Sequence, residues 1–492
     1  MTGFWRWPGK WMAVACCAGL FLLCGWEQGA RAQPPRQATV PVLMVSDIHF
    51  EPFWDPAKAV ELAAAPVTQW RAILAAPNTA DRRQRFADLQ IGCHDKGTDT
   101  LYPLLASSLA AMRADAAGAR FITLSGDLIA HDFGCKFNSI FPHATPSDYR
   151  AFVAKTVEFV ALELHASFPG VPLYTALGNN DTDCGDYQLD AHGTLLANVG
   201  PQIVADLGVR EPERNQALKD FMSGGYYDVA LPAPMRHARL VVLDDQFMAK
   251  KYRSCSGAPD PKAAADQIAW LREQLESARR DHERVWVMAH IPPGVDPYST
   301  ARKMRDVCGG ESPEMFLSSG ALAATLADFG DVIRLVILGH THMDELRLLE
   351  PPGGESAAHP AVAVKIVGSI SPVDQNNSSF TVARVDAATA ELVDYQVFAA
   401  SGPTGVRTVW SKEYDFRATY GVPAFTASSV AELIARFRAD PGAQSQVSQS
   451  YLRNYFVGDR SKELVPFWPQ YVCALANSTQ ETYRACVCPS GK

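Results

Sequence analysis

Residues 332–342 read VIRLVILGHTH, a short apolar run that ends in a glycine and two histidines. The run is rich in Val, Ile and Leu and does not alternate with polar residues, which is typical of a central strand covered on both faces. Helical spacing of apolar residues is found between such runs, for example over Pro261–Arg280. Five further short apolar runs end in polar or glycine-rich turns: Val40–Ser46, Arg120–Ser125, Val171–Ala176, Leu240–Leu243 and Val285–Ala289. This alternation of strands and helices predicts an α/β architecture.

The character of the chain changes after His342. Four runs with short turns between them predict successive strands in an antiparallel section of the sheet: Glu345–Leu349, Ala361–Val367, Ser379–Val385 and Glu391–Val397. From about Ser401 the chain becomes polar, and its spacing predicts helices over Val430–Phe437 and Gln446–Phe456. We therefore expect one large domain over residues 33–400 and a C-terminal helical region over residues 401–492.

Residues that can bind metals follow the predicted strands directly. Because the carboxyl ends of strands in an α/β sheet form one edge, where ligand sites lie, we expect these residues to meet. Taken singly, a Gly-Asp or Asp-x-His sequence is an ordinary turn. Unrelated turns would not all carry metal-ligand residue types, so the whole set predicts a functional site. Its members are Asp47, His49, Asp127, Asn179, Asn180, His290, His340 and His342.

Four further residues near these strand ends have less specific interpretations. We expect Asp181 and Asp344 either to orient imidazoles or to be solvated turn carboxylates. Gly178 and Gly339 are expected to permit positive φ values or tight turns that direct the next residue towards the site.

The ligand types decide which ions the predicted site suits. Two carboxylates, four imidazoles and an amide suit zinc, with manganese or iron as alternatives, whereas calcium and magnesium prefer mostly oxygen. Seven ligands exceed what one ion takes, so we predict two divalent transition metal ions that share one carboxylate. Such a pair is separated by ~3.5–4 Å and lowers the pKa of a shared water to roughly 7.

These motifs, in this order, resemble those of the calcineurin-like metallophosphoesterases. The resemblance implies a four-layer β-sandwich flanked by helices, here with a small helical, disulfide-bearing C-terminal region. It also implies that Asp127 bridges two metals. One metal would be held by Asp47, His49 and His342, and the other by Asn179, His290 and His340.

Within that superfamily the chain is similar to the acid sphingomyelinase-like phosphodiesterases. The supporting features are His131, four positions after Asp127, the sequence GHTHMDE at residues 339–345, SISP at 369–372, NNSSF at 376–380 and the cysteine-bearing tail. A lipid-binding saposin module has no room here, because only seven residues separate Ala32 from Val40. Membrane sphingomyelin is therefore not the main substrate that we expect.

Asn180 departs from the superfamily, which usually has a histidine at this position to protonate the leaving group. An amide cannot act as a general acid, so His131 is the expected proton donor. The resemblance implies a phosphoric ester hydrolase in which a hydroxide bridging the two metals attacks phosphodiesters or phosphoanhydrides, such as nucleotides and choline-phosphate diesters. Two alternatives stay open: an endopolyphosphatase-like hydrolase, and a catalytically weakened protein that binds metal or phosphate.

The N-terminal residues 1–32 have the features of a secretory signal. Arg6 and Lys10 precede an apolar stretch, and the sequence Ala-Arg-Ala at 30–32 fits a small-x-small cleavage site. The stretch has about 16 residues and is short for a membrane span, which needs ~20. An uncleaved anchor helix is the alternative. We expect a secreted or periplasmic protein that is not stably inserted in a membrane.

Charge and cysteine content limit the partners and the compartment. The 492 residues include 45 Lys and Arg against 53 Asp and Glu, a net charge of −8, which argues against binding of a nucleic acid duplex. We expect a monomer that acts on a small phosphate ester. Eight cysteines remain after signal removal, and their even number predicts disulfides. The expected pairs are Cys255 with Cys308, and Cys473 with Cys486 or Cys488.

Overall fold

Twelve strands form two six-stranded sheets in the computed structural model, which describes residues 38–351, 354, 360–458 and 462–488. The predicted signal peptide lies outside the described residues. The strands are β1 (Thr39–Val45), β2 (Ile122–Ser125), β3 (Leu173–Ala176), β4 (Tyr227–Ala230), β5 (Ala238–Val242), β6 (Arg284–Met288), β7 (Ile333–Leu338), β8 (Glu345–Leu349), β9 (Val362–Ile366), β10 (Ser379–Asp386), β11 (Leu392–Ala400) and β12 (Trp410–Asp415).

Each sheet combines parallel strands with antiparallel ones. The first sheet has the order β12-β11-β10-β1-β2-β3, in which β1, β2 and β3 are parallel and β10 runs antiparallel to β1. The second has the order β4-β5-β6-β7-β9-β8. In it β5, β6, β7 and β9 are parallel, and the edge strands β4 and β8 are antiparallel to their neighbours. The parallel strands of both sheets therefore bring their carboxyl ends to common edges.

Large aromatic side chains join the two sheets face to face. Trp286 on β6 meets Phe121 edge-on at 5.7 Å between ring centroids, and its indole nitrogen donates to the carbonyl of Ala390 at 2.8 Å. The hydroxyl of Tyr227 on β4 accepts from the backbone N–H of Thr175 on β3 and donates to the carbonyl of the same residue. Since burying these rings removes large apolar surfaces from water, the interior of the sandwich is the main hydrophobic core. The predicted β-sandwich flanked by helices is confirmed.

Helices follow most strands and cover the outer faces of the sheets. Their caps agree with the sequence: the Asp260 side chain accepts from the backbone N–H of Lys262 and Pro261 occupies the first turn of α9. The α-helices are α1 (Pro56–Ala64), α2 (Trp70–Ala75), α3 (Arg82–Cys93), α4 (Tyr102–Asp115), α5 (Phe133–Ile140), α6 (Pro146–Ser167), α7 (Thr194–Asp206), α8 (Glu213–Gly224), α9 (Pro261–Arg280), α10 (Pro297–Ala301), α11 (Met304–Gly309), α12 (Ala321–Asp328), α13 (Phe416–Tyr420), α14 (Ala427–Arg438), α15 (Gln446–Tyr455), α16 (Trp468–Ala474) and α17 (Gln480–Val487).

The strands after His342 do not form one antiparallel section. Strands β8 and β9 pair with each other in the second sheet, whereas β10 and β11 pair in the first, with β10 beside β1. The chain beyond Ser401 is also not purely helical, because β12 extends the first sheet alongside β11. Alternation of apolar residues marks a strand but carries no information about which sheet it joins.

Four disulfides link the described cysteines: Cys93–Cys135, Cys184–Cys255, Cys308–Cys488 and Cys473–Cys486. The expected pair of Cys255 with Cys308 is wrong, because the loop carrying Cys255 runs beside the segment that carries Cys184. The backbone N–H of Arg253 donates to the carbonyl of Tyr187 at 3.0 Å there. One of the two alternatives for Cys473, its bond to Cys486, is confirmed. Among the residues that the structure describes, no helix has the length and apolarity that a membrane crossing requires.

Candidate active site

The carboxyl ends of five parallel strands meet in one place between the two sheets. The predicted site residues follow β1, β2 and β3 in the first sheet and β6 and β7 in the second. Backbone hydrogen bonds join neighbouring loops: the N–H of Asp47 donates to the carbonyl of Gly126 at 3.0 Å, and that of Gly339 donates to the carbonyl of His290 at 2.9 Å. The predicted convergence of the strand ends is therefore seen, with both sheets contributing.

The backbone of these loops is held in an unusual conformation. Five of the predicted ligands have positive φ values between 44° and 73°, in the left-handed region that non-glycine residues rarely adopt. Such conformations cost free energy and cluster at functional sites. The residues are Asp47, His49, Asp127, His340 and His342.

The glycines before two ligands serve close approach rather than a special φ value. A Cβ at Gly178 would collide with the carboxylate of Asp127, and a Cβ at Gly339 would collide with the side chain of Ser46. Neither glycine has a positive φ value, so that alternative is wrong. The alternative of tight turns is confirmed, because the N–H of Asp181 donates to the carbonyl of Gly178 at 3.1 Å and that of Thr341 donates to the carbonyl of Gly339 at 2.9 Å. His340, which follows Gly339, itself takes the left-handed conformation, and both glycines leave room for neighbouring side chains.

The first group of predicted ligands consists of Asp47, His49 and His342, which are all buried. The Nε2 atoms of the two histidines are 3.1 Å apart, and Oδ1 of Asp47 is 3.6 Å from Nε2 of His342. Nδ1 of His49 is 3.0 Å from the carbonyl of Ile129, which fixes the ring with Nε2 directed towards the other two residues.

The second group consists of Asn179, His290 and His340. Nδ1 of His340 lies 2.9 Å from Oδ1 of Asn179, whose amide nitrogen donates to Asp186 at 2.8 Å and so keeps the oxygen on the side of the imidazole. Nδ1 of His290 donates to the carbonyl of Ser125 at 2.7 Å. The remaining ring nitrogen of His290, Nε2, is buried and has no hydrogen bond.

The carboxylate of Asp127 lies between the two groups. Its Oδ2 atom is 3.4 Å from Nε2 of His49 and 3.1 Å from Nε2 of His290. Asn180 donates to the same carboxylate through its backbone N–H at 2.8 Å and its side-chain amide at 3.0 Å. One carboxylate is therefore shared by imidazoles of both groups.

The donor set fits divalent metals. Ligand atoms of Asp47, His49 and Asp127 lie within 4.8 Å of one another, as do those of Asp127, His290 and His340. Nε2 of His290 is buried, and its 3.1 Å contact with Oδ2 of Asp127 lacks the geometry of a hydrogen bond, so a metal would satisfy it. The structure thus brings all seven predicted ligands together, although their assignment to individual ions stays a prediction.

Burial and neighbouring charges set the protonation of these groups. Burial lowers the pKa values of His49 and His340 well below the usual range, which favours the neutral imidazole that binds metals. Burial alone would raise the pKa of Asp127, but His290 and His49 hold it well below its usual value. Asp127 in turn raises the pKa of His290 to about 10 against the effect of burial. The pair behaves as a carboxylate facing a cation, which is the role that a metal takes over.

His131 lies at the rim of the first group. Its ring stacks on that of His49 with 4.0 Å between centroids, and 31% of its side chain is exposed. Nδ1 is 3.1 Å from Oδ1 of Asp99. Burial lowers the pKa of His131, but Asp99 outweighs it and raises the pKa to about 9.

Two cavities flank the ligand groups and share Lys96 and Asp374 in their walls. The first has a volume of about 330 Å³ and is lined by His131 and Asn180, together with three further carboxylates. The second has a volume of about 410 Å³ and is lined by His340 and several aromatic side chains. Both sides of the site are therefore open to substituents of a bound phosphate.

Two buried carboxylates that contact predicted site residues were missed by the sequence analysis. Asp99 binds His131, and Asp245 accepts backbone hydrogen bonds from His290 and Ile291. Asp245 comes shortly after β5, as the predicted ligands come after their strands, and this position is a signal that could have revealed it. Asp99 has no such signal, because it is in a loop between two helices.

Asp181 and Asp344 are buried and do not orient the imidazoles. Asp181 accepts from three backbone N–H groups, those of Leu128, Ile129 and Gly178. Asp344 is paired with Lys365 and accepts from the hydroxyl of Tyr414 at 2.7 Å. Both expected roles, as imidazole partners or as solvated turn residues, are therefore wrong.

The sequence profile of the calcineurin-like phosphoesterases matches residues 40–344. This is the segment that carries every predicted ligand, and it covers more than half of the chain. The chain belongs to this family and is a metal-dependent phosphoric ester hydrolase.

Individual relatives confirm the branch that the motifs predicted. Acid sphingomyelinase-like phosphodiesterase 3b of Mus musculus is 25% identical over 404 residues, which are 79% of this chain and 80% of that protein. Cyclic GMP-AMP phosphodiesterase SMPDL3A of the same species is 22% identical over 485 residues, 96% of this chain and 97% of that protein. Among solved structures, a dimetal phosphatase from Danio rerio has 14% identity and a TM-score of 0.37, covering 76% of this chain and 98% of that one.

Proposed function

We propose that this protein is an exported phosphodiesterase that works with two divalent transition metal ions, zinc in the first place and manganese or iron as alternatives. The observation that carries the proposal is the shared position of Asp127, whose Oδ2 atom lies 3.4 Å and 3.1 Å from imidazole nitrogens of the two ligand groups. A bridging carboxylate between two sets of nitrogen ligands is the arrangement that two-metal phosphoesterases need.

The residues take the following roles. One ion is held by Asp47, His49 and His342, the other by Asn179, His290 and His340, and Asp127 serves both. When bound, the ions would supply an activated water and neutralise the charge on the phosphate. Asn180 holds the shared carboxylate in place through two hydrogen bonds. The hydrogen bonds of His49 and His290 to backbone carbonyls direct their Nε2 atoms to the centre.

His131 is the proposed proton donor to the leaving group. It lines the cavity of about 330 Å³ together with Asn180, which has no proton to give. The carboxylate of Asp99 outweighs burial and raises the pKa of His131 to about 9, which favours the protonated imidazole that a proton donor requires. We therefore place the leaving group in this cavity. The other substituent of the phosphate, which stays bonded to phosphorus after hydrolysis, would lie in the second cavity.

The charges around His131 favour a diester over a polyphosphate. The same cavity is lined by Asp95, Asp132, Asp186 and Asp374 but by one lysine, Lys96. A leaving group that is itself a phosphate chain would be repelled there. Nucleotides and choline-phosphate diesters are the proposed substrates, in line with the phosphodiesterase names of the relatives. The alternative of an endopolyphosphatase-like hydrolase rests on Asn180 alone.

The test measures hydrolysis of bis-p-nitrophenyl phosphate by the purified protein with added Zn²⁺ or Mn²⁺. We expect turnover that chelation removes and that Asp127→Asn lowers by at least about 10²-fold, since metal-bound water supplies the nucleophile. Elemental analysis should find about two ions per chain. Tight metal binding without turnover above the Asp127→Asn background would instead indicate the weakened metal- or phosphate-binding protein. Release of phosphate from long polyphosphate, but not from the diester, would indicate the polyphosphatase.

We also propose that the protein is secreted or periplasmic and works as a monomer. The four disulfides support an oxidising compartment. N-terminal sequencing of the exported protein should place the mature terminus directly after Ala32, and size-exclusion chromatography with light scattering should give the mass of one chain. Retention of residues 1–32 in a membrane fraction would contradict this part of the proposal.

A further inference from the structure

We infer that Asp99 is a positioning residue for His131: its buried carboxylate fixes the imidazole so that Nε2 is the nitrogen that reaches the leaving group. This inference rests on the proposed function, because it concerns the same hydrolysis. It adds a residue that lies outside every motif of the sequence and that sets how well a poor leaving group is released.

The contacts of Asp99 are those of a two-point clamp. The carboxylate, which is 1% exposed, accepts from the backbone N–H of His131 at 2.8 Å and lies 3.1 Å from Nδ1 of the same residue. Ser371 donates to it through its hydroxyl at 2.7 Å. Because both the backbone and the ring of His131 are bound by one carboxylate, the orientation of the ring is fixed.

Asp99 is itself fastened to the loops that carry predicted metal ligands. The N–H of Thr100, the next residue, donates to the carbonyl of His49 at 3.1 Å. The N–H of Ser371 donates to the carbonyl of Asp47 at 3.0 Å. The segments that carry Asp99 and Ser371 are therefore held to the ligand loops by backbone hydrogen bonds, and only the short side chains of these two residues lie between them and His131.

A second set of contacts holds the N-terminal part of the segment that leads to Asp99. The disulfide between Cys93 and Cys135 joins the end of α3 to α5, and Nζ of the buried Lys136 lies 3.0 Å from the Asp95 carboxylate. The segment 94–99 is thus anchored at both ends. An anchored acceptor loses little entropy when it orients its partner, which makes it an effective support.

The consequence for His131 follows from its two ring nitrogens. With Nδ1 donating to Asp99, only Nε2 is left to give a proton to the oxygen whose bond to phosphorus breaks. The ring stacks on His49 on one side but is 31% exposed, so space for rotation exists once the clamp is removed. An asparagine at position 99 removes the negative charge, and an NH₂ group turned towards Nδ1 of His131 and the Ser371 hydroxyl would prevent Nδ1 from donating there.

The test compares two diesters that share the methyl phosphate group, methyl p-nitrophenyl phosphate and methyl phenyl phosphate. p-Nitrophenolate leaves without a proton, whereas phenolate needs one. We expect Asp99→Asn to lower kcat/KM for the phenyl ester at least about 10-fold and for the nitrophenyl ester less than about 3-fold, since general acid catalysis contributes ~10²–10⁴-fold. A merely structural role would lower both values equally and would overturn the inference.

A double-mutant cycle with His131→Asn adds a second readout. If Asp99 acts through His131, the double variant should lose no more activity on the phenyl ester than His131→Asn alone. Additive losses would contradict the inference. Ser371→Ala removes one hydrogen bond of the clamp and should show the same preference with a smaller loss, so it carries the test if Asp99→Asn does not fold.

The matched control is Asp386→Asn, the same chemical change at a buried carboxylate. Asp386 accepts from Ala388 and Thr389 in the turn after β10, at the end of the strand that pairs with Thr39 and thus away from the site. This variant should leave the ratio of the two kcat/KM values unchanged.

Failure of the inference can be told apart from failure of the proposed function. If wild-type protein hydrolyses both esters but His131→Asn loses activity on both equally, the inference fails while the proposed phosphodiesterase stands. If wild-type protein hydrolyses neither ester, the proposed function fails and the inference fails with it.

Discussion

Asn180 contributes to the site through the shared carboxylate, to which its amide donates at 3.0 Å and its backbone N–H at 2.8 Å. Asn180→Ala removes the first bond and keeps the second, so Asp127 becomes less well oriented. We expect metal affinity to fall about 10–100-fold, the usual effect of losing a partner of a ligand. Asn180→Asp should affect a different step: it adds a negative charge beside Asp127 and should therefore weaken binding of the anionic substrate. Calorimetric metal titration checks the first expectation, and unchanged affinity in Asn180→Ala would contradict it.

The protonation of His131 also links pH to stability. Burial lowers its pKa, but Asp99 raises the value from 6.5 to about 9. A raised pKa in the folded state means that the stabilising contribution is complete below about pH 6.5 and is lost as the pH rises through about 9. Compared with His131→Asn, the wild-type protein should therefore lose unfolding free energy across this range, by less than about 3 kcal/mol because the side chain is partly exposed. Urea unfolding at several pH values measures it, and parallel curves for the two proteins would exclude the linkage.

Among single residues, the sequence predicted the metal ligands but not the residues that hydrogen-bond to the other side chains of the site. His340 and His342 were predictable because both sit directly after an apolar strand, where chemistry and position coincide. Asp99 was not, because its function depends on a contact with His131 across 32 positions of sequence. No local pattern encodes a hydrogen bond between two loops.

The loops after β2 and β3 are held together by the side chain of Asp181. Asp181 accepts from Leu128 and Ile129 in the first loop and from Gly178 in the second. Asp181→Ala would leave buried N–H groups without partners, which costs about 3 kcal/mol or more in unfolding free energy. It should also lower metal affinity, because Asp127 and Asn179 lie in these two loops. Asp181→Asn keeps one acceptor oxygen and should lose less on both measures.

The control for this element is Asp386→Ala, which removes a carboxylate that caps the turn between β10 and β11 through three donors. Chemical denaturation should show a comparable loss of stability in both alanine variants. Metal titration should show a loss in Asp181→Ala alone. Equal metal affinity in the two variants would mean that Asp181 stabilises the fold without organising the site.

Elements were predictable where their pattern was strong and local. The run around residue 335 was recognised within one residue of β7, and α9 was recognised with both bounds, because its apolar spacing, capping Asp260 and Pro261 agree. Strand β12, WSKEYD, was missed since four of its six side chains are polar and three of these are exposed. An edge strand with little buried surface leaves no hydrophobic signal.

For the whole molecule, the C-terminal region is joined to the sandwich close to the site. The N–H of Asp344, two residues after His342, donates to the carbonyl of Tyr455 at 3.0 Å, and Tyr471 donates to the Glu345 carboxylate at the same distance. These contacts depend on residues more than one hundred positions apart, so the sequence predicted the helices but not where they dock. Tyr455 and Phe456 also line the second cavity, so this region forms part of the wall where we propose that the substrate binds.

The disulfides of this region should contribute unequally to stability. Cys308–Cys488 closes a loop with a sequence separation of 180, whereas Cys473–Cys486 closes one of 13. Restricting the unfolded chain predicts losses of about 5 and about 3 kcal/mol on removal, because the entropy of the longer loop is larger. We expect the paired variant Cys308→Ser/Cys488→Ser to unfold at lower urea concentration than Cys473→Ser/Cys486→Ser, with similar diester hydrolysis below the transition. If the order is reversed, native contacts of the 473–486 segment, and not loop length, dominate the stability of the C-terminal region.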